Sequence, residues 1–377
     1  MLNPRRVTVA GLVLLLAVVT QVSAQGLPDR LSDADFWKLM TTMSEPNGYF
    51  QSENMVSNET GFETVIPELV KTVRPGGVYL GVGPEQNFTY IAALHPAMVF
   101  IVDIRHQNAI QHLLYKALFD LSPSRAAFVS ALFSRSLPAS VADGATVDSI
   151  FAAVARSAPD SALHARTLAA IEADLTQTHG FALSADETTL LVHNFETMYL
   201  AGPDLNYNSS GYGNSYGRGR MPSYGQLMVL SDNAGVERSY LSSDANYQAV
   251  RDLEQRNLLV PLTGDFGGPK AIRAVGDYVR AHHAVVTAFY TSNVEQYLFR
   301  DGKWFTFEAN VATLPIDSTS RFIRSGGAGG AGGRGFGGGG GGISGMRTSL
   351  LQSIDDLIRA TTNHQITSYA DVLGTSH

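Results

Sequence analysis

Four clusters of residues in this chain have the types and spacing to do chemistry. The first is Gly81-Val82-Gly83-Pro84-Glu85-Gln86-Asn87, with Asp103 twenty residues beyond Gly83. Gly81 and Gly83 permit a tight turn and close backbone approach to a ligand. The free N–H groups of a helix opening at Gln86-Asn87 favour an anionic group, and a carboxylate at position 103 can accept hydrogen bonds from ribose hydroxyls. The second cluster is Gly264-Asp265-Phe266, and the third is Ser292-Asn293 with Glu295 close behind. The fourth is Ser52-Glu53-Asn54 followed by Ser57-Asn58-Glu59, dense in hydrogen-bonding side chains and without periodicity. Such a stretch serves as capping and turn chemistry or as a lid over a ligand. Glu53 with Glu59, or Glu85 with Asp265, could form an acid–base pair, at a separation the sequence does not give.

The elements that must position these groups read as alternating strands and helices. Val78 to Val82 is a short apolar run bounded by glycines, which predicts a buried strand. A crossover helix begins near Asn87 and runs to Leu94, and Met98 to Val102 is a second strand ending on Asp103. Together they form a βαβ unit with a ligand crevice at the strands' carboxyl ends, although a Gly-x-Gly can also be a plain strand-to-helix turn. Leu258 to Leu262 and Ala284 to Tyr290 predict two further strands, whose ends carry Asp265 and Ser292-Asn293-Glu295. Polar groups at successive strand ends are what a shared crevice in an open α/β sheet requires. Helices are expected at Ser32 to Met43, capped by Ser32 with Asp35 in its first turn, at Phe62 to Val73 and at Asp244 to Arg256. Pro269 to His282 reads as another, with Pro269 in its first turn, and Ser349 to Ala360 as a final amphipathic one. The expected fold class is a doubly wound α/β sheet. Its helical insertion falls at about 120–200, because the helical region from Gln107 to about Phe195 is too long for a simple crossover.

Around that sheet, positions 1–24 read as a signal peptide: Arg5-Arg6, an apolar run from Val9 to Val19, then Val22-Ser23-Ala24 before Gln25. This predicts an exported protein, periplasmic or extracellular, with no membrane span after cleavage. Arg5-Arg6 also permits a twin-arginine reading, in which the protein is exported already folded. Positions 25–75 form an N-terminal helical segment and 76–310 the α/β domain. Positions 206–225 form a loop rich in tyrosine and glycine, a mobile surface loop or a binding platform. Positions 326–345 are a glycine-rich flexible loop and 346–377 a C-terminal helix. The net charge is −7 with 44% hydrophobic residues among 377, so a basic nucleic-acid-binding face is not expected. The absence of cysteine removes disulfides, thiolate nucleophiles and cysteine zinc sites. His193, His282 and His283 are available as bases, and no His-Glu-x-x-His metal motif occurs.

In this order the motifs resemble the class I S-adenosylmethionine-dependent methyltransferases over about 60–120 and 255–310. The resemblance implies a Rossmann-like, methyltransferase-like sheet with S-adenosylmethionine as cofactor. It places Gly81 and Gly83 at the methionine part, with Glu85, Gln86 and Asn87 as further cofactor-binding residues, Asp103 at the ribose, Asp265 and Phe266 at the adenine, and Ser292 and Asn293 at the reacting group. Asn293 or Glu295 would then orient a small acceptor, and Glu85 or Glu59 would be its base. Two positions depart from the superfamily's pattern. Tyr79 stands where an acid usually precedes the loop, and Glu85 replaces the third glycine. Glu85 near the helix start would repel a pyrophosphate, which disfavours a dinucleotide, while it could meet an ammonium group. The stretches Ser52 to Glu59 and Gly77 to Tyr90 also resemble a bacterial protein family that implies no activity. The alternative expectation is a non-catalytic, exported small-ligand-binding protein that keeps the crevice alone.

Overall fold

The computed structural model describes residues 26–138, 141, 144–209, 221–326 and 348–376. The expected signal peptide, most of the tyrosine/glycine loop and nearly all of the glycine-rich segment lie outside the described residues. Among the described residues six strands form one sheet: β1 (Val78–Gly81), β2 (Met98–Asp103), β3 (Leu259–Thr263), β4 (Val286–Ser292), β5 (Arg321–Gly326) and β6 (Thr348–Ser353). Their spatial order is β3-β2-β1-β4-β5-β6; neighbours run parallel until β6, which pairs antiparallel with β5. β1, β2 and β3 are buried at every position, because helices cover both faces of a parallel sheet.

The helices follow the connections. α1 (Asp33–Met43) and α2 (Ile66–Thr72) precede β1, α3 (Gln86–Leu94) joins β1 to β2, and α4 (His106–Leu121) leaves β2. Between α4 and β3 come α5 (Arg125–Phe133), α6 (Val147–Arg156), α7 (Ser161–Ala173), a π-turn (Asp174–Thr178), α8 (Ala185–Ala201), α9 (Tyr224–Met228) and α10 (Asp244–Gln255). α11 (Ala271–Ala281) joins β3 to β4, α12 (Val294–Arg300) and α13 (Trp304–Val311) join β4 to β5, and α14 (Ile354–Thr362) and α15 (Tyr369–Gly374) follow β6. α3, α4 and α10 pack together, whereas α1, α11, α13 and α14 make a second contacting set. Right-handed crossovers require that division: β1→β2→β3 steps one way along the sheet and β3→β4 steps back across it, so the two sets lie on opposite faces. The reversal between β1 and β4 opens a crevice at their carboxyl ends.

Ser32 caps α1 as its sequence predicts, its Oγ accepting the Asp35 N–H at 3.1 Å. Three expectations are corrected. Ser349 to Ala360 is not one helix: β6 runs to Ser353, whose Oγ caps α14. Leu350 and Leu351 mimic a helical face, but pairing with β5, a strand absent from the sequence reading, fixes them in a ladder. Pro269 lies before α11, which begins at Ala271. β4 starts later and extends through Ser292, so Ser292 belongs to the strand and not to the loop after it. Among the described residues no helix is long and apolar enough to cross a membrane.

Candidate functional site

The turn after β1 is built inward. A side chain at Gly81 would strike the Asn87 amide and the Tyr79 ring. The Asn87 Nδ2 donates to the carbonyls of Val82 (3.0 Å), Gly83 (3.2 Å) and Pro84 (2.8 Å), and its Oδ1 accepts from Tyr79 Oη at 3.0 Å. From α4, the buried His112 donates through Nε2 to the Gly83 carbonyl at 2.9 Å. Burial pushes His112 down to about 4, so it is a neutral imidazole at ordinary pH. Asn87 and Gly81 therefore serve the turn itself. Tyr79, standing where the superfamily keeps an acid, is committed to Asn87.

Glu85 is fully buried one residue before α3; Ser57 N–H donates to its Oε1 at 3.2 Å, while Oε2 has no hydrogen-bond partner among the described residues. Burial raises its pKa to about 8, so it is protonated at neutral pH. This corrects two expectations: Glu85 does not meet an ammonium group in the crevice, and it presents no base there. Gln86 also turns inward, its Nε2 donating to Glu59 Oε2 at 3.0 Å and its Oε1 accepting from Ser57 Oγ. Glu295 is corrected as well. It is wholly buried in an ion pair with Arg324 at 2.8 Å, behind the strand end it was expected to serve.

The carboxyl ends of β1 to β4 surround a cavity of about 530 Å3. It brings together Glu59, Gly83, Asp103, Asp265, Phe266, Ser292 and Asn293, and leaves out Gly81, Glu85, Gln86, Asn87 and Glu295. Its size is that of a small-molecule site. The expected carboxylate pairs do not form in it: of Glu53 and Glu59 only Glu59 lines it, and of Glu85 and Asp265 only Asp265 does. Glu53 instead meets His193 Nε2 at 3.0 Å. His282 lies at the far end of α11, bonded through Nδ1 to the Tyr278 carbonyl.

Each acid of the cavity already has donors. Asp103 is held by Arg105 through Nε to Oδ1 (2.9 Å) and Nη2 to Oδ2 (2.7 Å), with the Arg105 N–H adding 2.9 Å to Oδ1. Arg105 also donates to the Glu53 carbonyl and lies 5.7 Å over the Phe50 ring, pinning the 50–54 segment across the end of β2. Asp265 pairs with Lys303 and accepts the Gly267 N–H at 2.9 Å. Glu59, 1% exposed, accepts from Tyr290 Oη (3.0 Å), Ser292 Oγ (2.5 Å) and Gln86 Nε2. Ser292 reaches it because its backbone takes φ 53° where β4 slips register against β5. Phe266 packs on Phe289 and Phe307. The Ser52-to-Glu59 stretch is thus both hydrogen-bonded framework and cavity wall, with Ser52, Asn54, Ser57, Asn58 and Glu59 along the cavity.

The sequence reading missed Arg105, Phe50, Tyr297 and Lys303. Arg105 had one available signal: two residues beyond Asp103 at a strand end, it can fold back onto the same carboxylate. Phe50 meets Tyr297 edge-on at 5.2 Å across the cavity mouth, and Arg300 lies 5.0 Å over Tyr297. A fifth omission is Glu45, just after α1. Its carboxylate accepts the N–H groups of Asp265 (3.0 Å), Lys270 (2.7 Å) and Ala271 (2.9 Å), so the loop after β3 and the start of α11 are capped from within the chain.

No curated protein matches the chain. A family model described as a domain of unknown function, DUF7790, matches residues 54–173 and 208–333, which span the cavity from Asn54 to Lys303. The chain belongs to the DUF7790 family.

Proposed function

We propose that the cavity binds S-adenosylmethionine and that the chain is an exported, methyltransferase-like protein with a Rossmann-like sheet. The observation that supports this most is positional. The strand order reverses between β1 and β4, as in doubly wound nucleotide-binding sheets. Around that reversal one cavity collects Gly83, Asp103, Asp265-Phe266 and Ser292-Asn293, the strand ends at which the superfamily places methionine, ribose, adenine and reacting group. In this reading Phe266 and the cavity wall near Asp265 take the base, Asp103 takes a hydroxyl, and Glu59 faces the cationic end. Methyl transfer would proceed by holding a nucleophile in line with the methyl group. Glu59 is the acid–base candidate at the cavity, because Glu85 and Glu295 lie outside it. The test is calorimetric titration of the purified protein with S-adenosylmethionine and with its demethylated product. One-site heat that is weakened in Glu59→Gln supports the proposal; no heat from either compound overturns it.

A second reading, a binding protein without catalysis, is favoured by the Asp103–Arg105 fork and the Asp265–Lys303 pair, which occupy the carboxylates a nucleoside would use. S-adenosylmethionine giving no heat while another small molecule protects the cavity supports this second reading.

A further inference from the structure

Away from the cavity, Asp120 of α4 meets Asp174 and His179 at the π-turn. His179 Nε2 lies 3.1 Å from Asp120 Oδ2 and 3.6 Å from Asp174 Oδ2, and one ligand atom from each residue fits within 4.8 Å of the others. We propose that Asp120, Asp174 and His179 bind a zinc-like divalent cation.

Four independent features carry this. The first is geometry. Zinc bonds of 2.0–2.1 Å in a tetrahedron separate neighbouring ligands by about 3.3 Å, and 3.1 and 3.6 Å bracket that edge. The second is Asp174. It is 9% exposed and its Oδ2 has no hydrogen-bond donor among the described residues, a state that an oxygen awaiting a cation explains. The third is the support around the set. His179 Nδ1 meets Asp33 Oδ1 at 2.6 Å, and Asn257 Nδ2 holds that same oxygen at 2.9 Å. Metal-bound histidines characteristically give their second ring nitrogen to a carboxylate, which fixes the tautomer and aims the other nitrogen at the metal. Lys116 donates to Asp120 Oδ2 at 3.2 Å and to the Glu254 carbonyl at 2.7 Å, orienting the Asp120 carboxylate.

The fourth is access and charge. A surface cleft lined by Asp33, Trp37, Lys38, Thr41, His179 and Phe181 opens onto His179 and its partner Asp33. Asp33, Asp120 and Asp174 carry three negative charges against Lys116, and a divalent ion with neutral His179 balances them. Two carboxylates and one imidazole suit zinc and similar transition ions; calcium and magnesium take all-oxygen sets. The π-turn makes the site: His179 N–H bonds to the Asp174 carbonyl at 2.9 Å, an i to i+5 closure that puts residues 174 and 179 on one side. In an α-helix they would point about 140° apart.

The experiment uses the purified, untagged protein, stripped with a chelator and titrated with zinc chloride by calorimetry, with thermal unfolding in parallel. One equivalent is expected to bind and to raise the melting temperature. Asp174→Asn and His179→Gln should each weaken binding at least 100-fold, Asp33→Asn 10- to 100-fold, and His283→Gln not at all. Asp174→Asn keeps the fold testable should His179→Gln unfold, since no hydrogen bond is lost at Oδ2. Without zinc, Asp174→Asn should be no less stable than the parent, so only the zinc-dependent part of the stability distinguishes them. Absence of zinc binding in the parent, or unchanged affinity in Asp174→Asn, overturns the proposal.

Discussion

Glu85→Gln should remove a pH dependence from stability and leave the cavity untouched. In the folded chain Glu85 is fully buried with a pKa raised by burial to about 8, against 4.5 when solvated. Between those two values the folded state holds one proton more than the unfolded chain. The stabilisation is therefore complete below pH 4.5 and is lost as pH rises towards 8. At about 1.4 kcal/mol per pH unit, the interval amounts to as much as about 5 kcal/mol, a large fraction of the 5–15 kcal/mol that holds a typical protein together. The glutamine introduced by Glu85→Gln would keep the carbonyl that accepts the Ser57 N–H and would mimic the protonated acid. The variant should match the parent within about 1 kcal/mol near pH 5 and exceed it increasingly up to pH 8. Urea unfolding of both proteins at half-unit steps from pH 5 to 8.5 measures this. Glu63 is also raised by burial, to about 8, but it contributes equally to both proteins and drops out of their difference. Parallel pH profiles, or a variant less stable throughout, would mean that Glu85 is ionised in the fold, and the structural role assigned to it would be wrong.

Two further substitutions examine the frame of the cavity. Arg105→Met strands the buried Asp103 carboxylate and should cost about 3 kcal/mol, the lower end for a broken buried pair because the cavity admits water; adding Asp103→Asn should recover most of it. A cost under about 1 kcal/mol by urea unfolding would show that the fork is not what fastens the 50–54 segment. Glu45→Ala should destabilise by about 1–3 kcal/mol, since three N–H groups lose their acceptor, and should speed hydrogen exchange at Lys270 and Ala271; unchanged exchange there would refute the capping role.

The sequence displayed the frame of this fold more fully than the state of its polar groups. The glycine-bounded run at Val78 and the apolar run at Met98, each wholly buried, announce themselves because a strand covered on both faces is nearly all apolar. The strand-end acids were equally visible as candidates. Their partners were not: Lys303 lies 38 residues from Asp265, and Arg324 lies 29 from Glu295. A fold brings such pairs together without leaving a local pattern. Asp103 and Glu59 thus face the cavity, while Glu295 and Glu85, equally polar in sequence, are withdrawn from it. β6 was hidden for a related reason. Six residues with two adjacent leucines satisfy a helical pattern as well as a strand, and only the ladder to β5 decides.

The saturation of Asp103 bears on what a ligand could gain there. An ionised carboxylate offers about four acceptor positions. Three contacts from Arg105 leave one, so a nucleoside can place a single hydroxyl on Asp103 unless Arg105 moves. Moving it would break a fork between groups whose side chains are 7% and 5% exposed and release the segment bonded through Glu53. That release is costly by the same physics that makes a broken buried pair expensive. In the proposed reading a ligand of the cavity as it stands would therefore draw little of its affinity from Asp103. Its anchoring would shift to Phe266 and to the aromatic rim of Phe50 and Tyr297, where a cation can lie over a ring face, because Glu59 likewise already holds three donors. A flat ring system with a cationic end matches that distribution better than a sugar diol does. In the proposed reading it is the base and the sulfonium of S-adenosylmethionine, more than its ribose, that the cavity would hold.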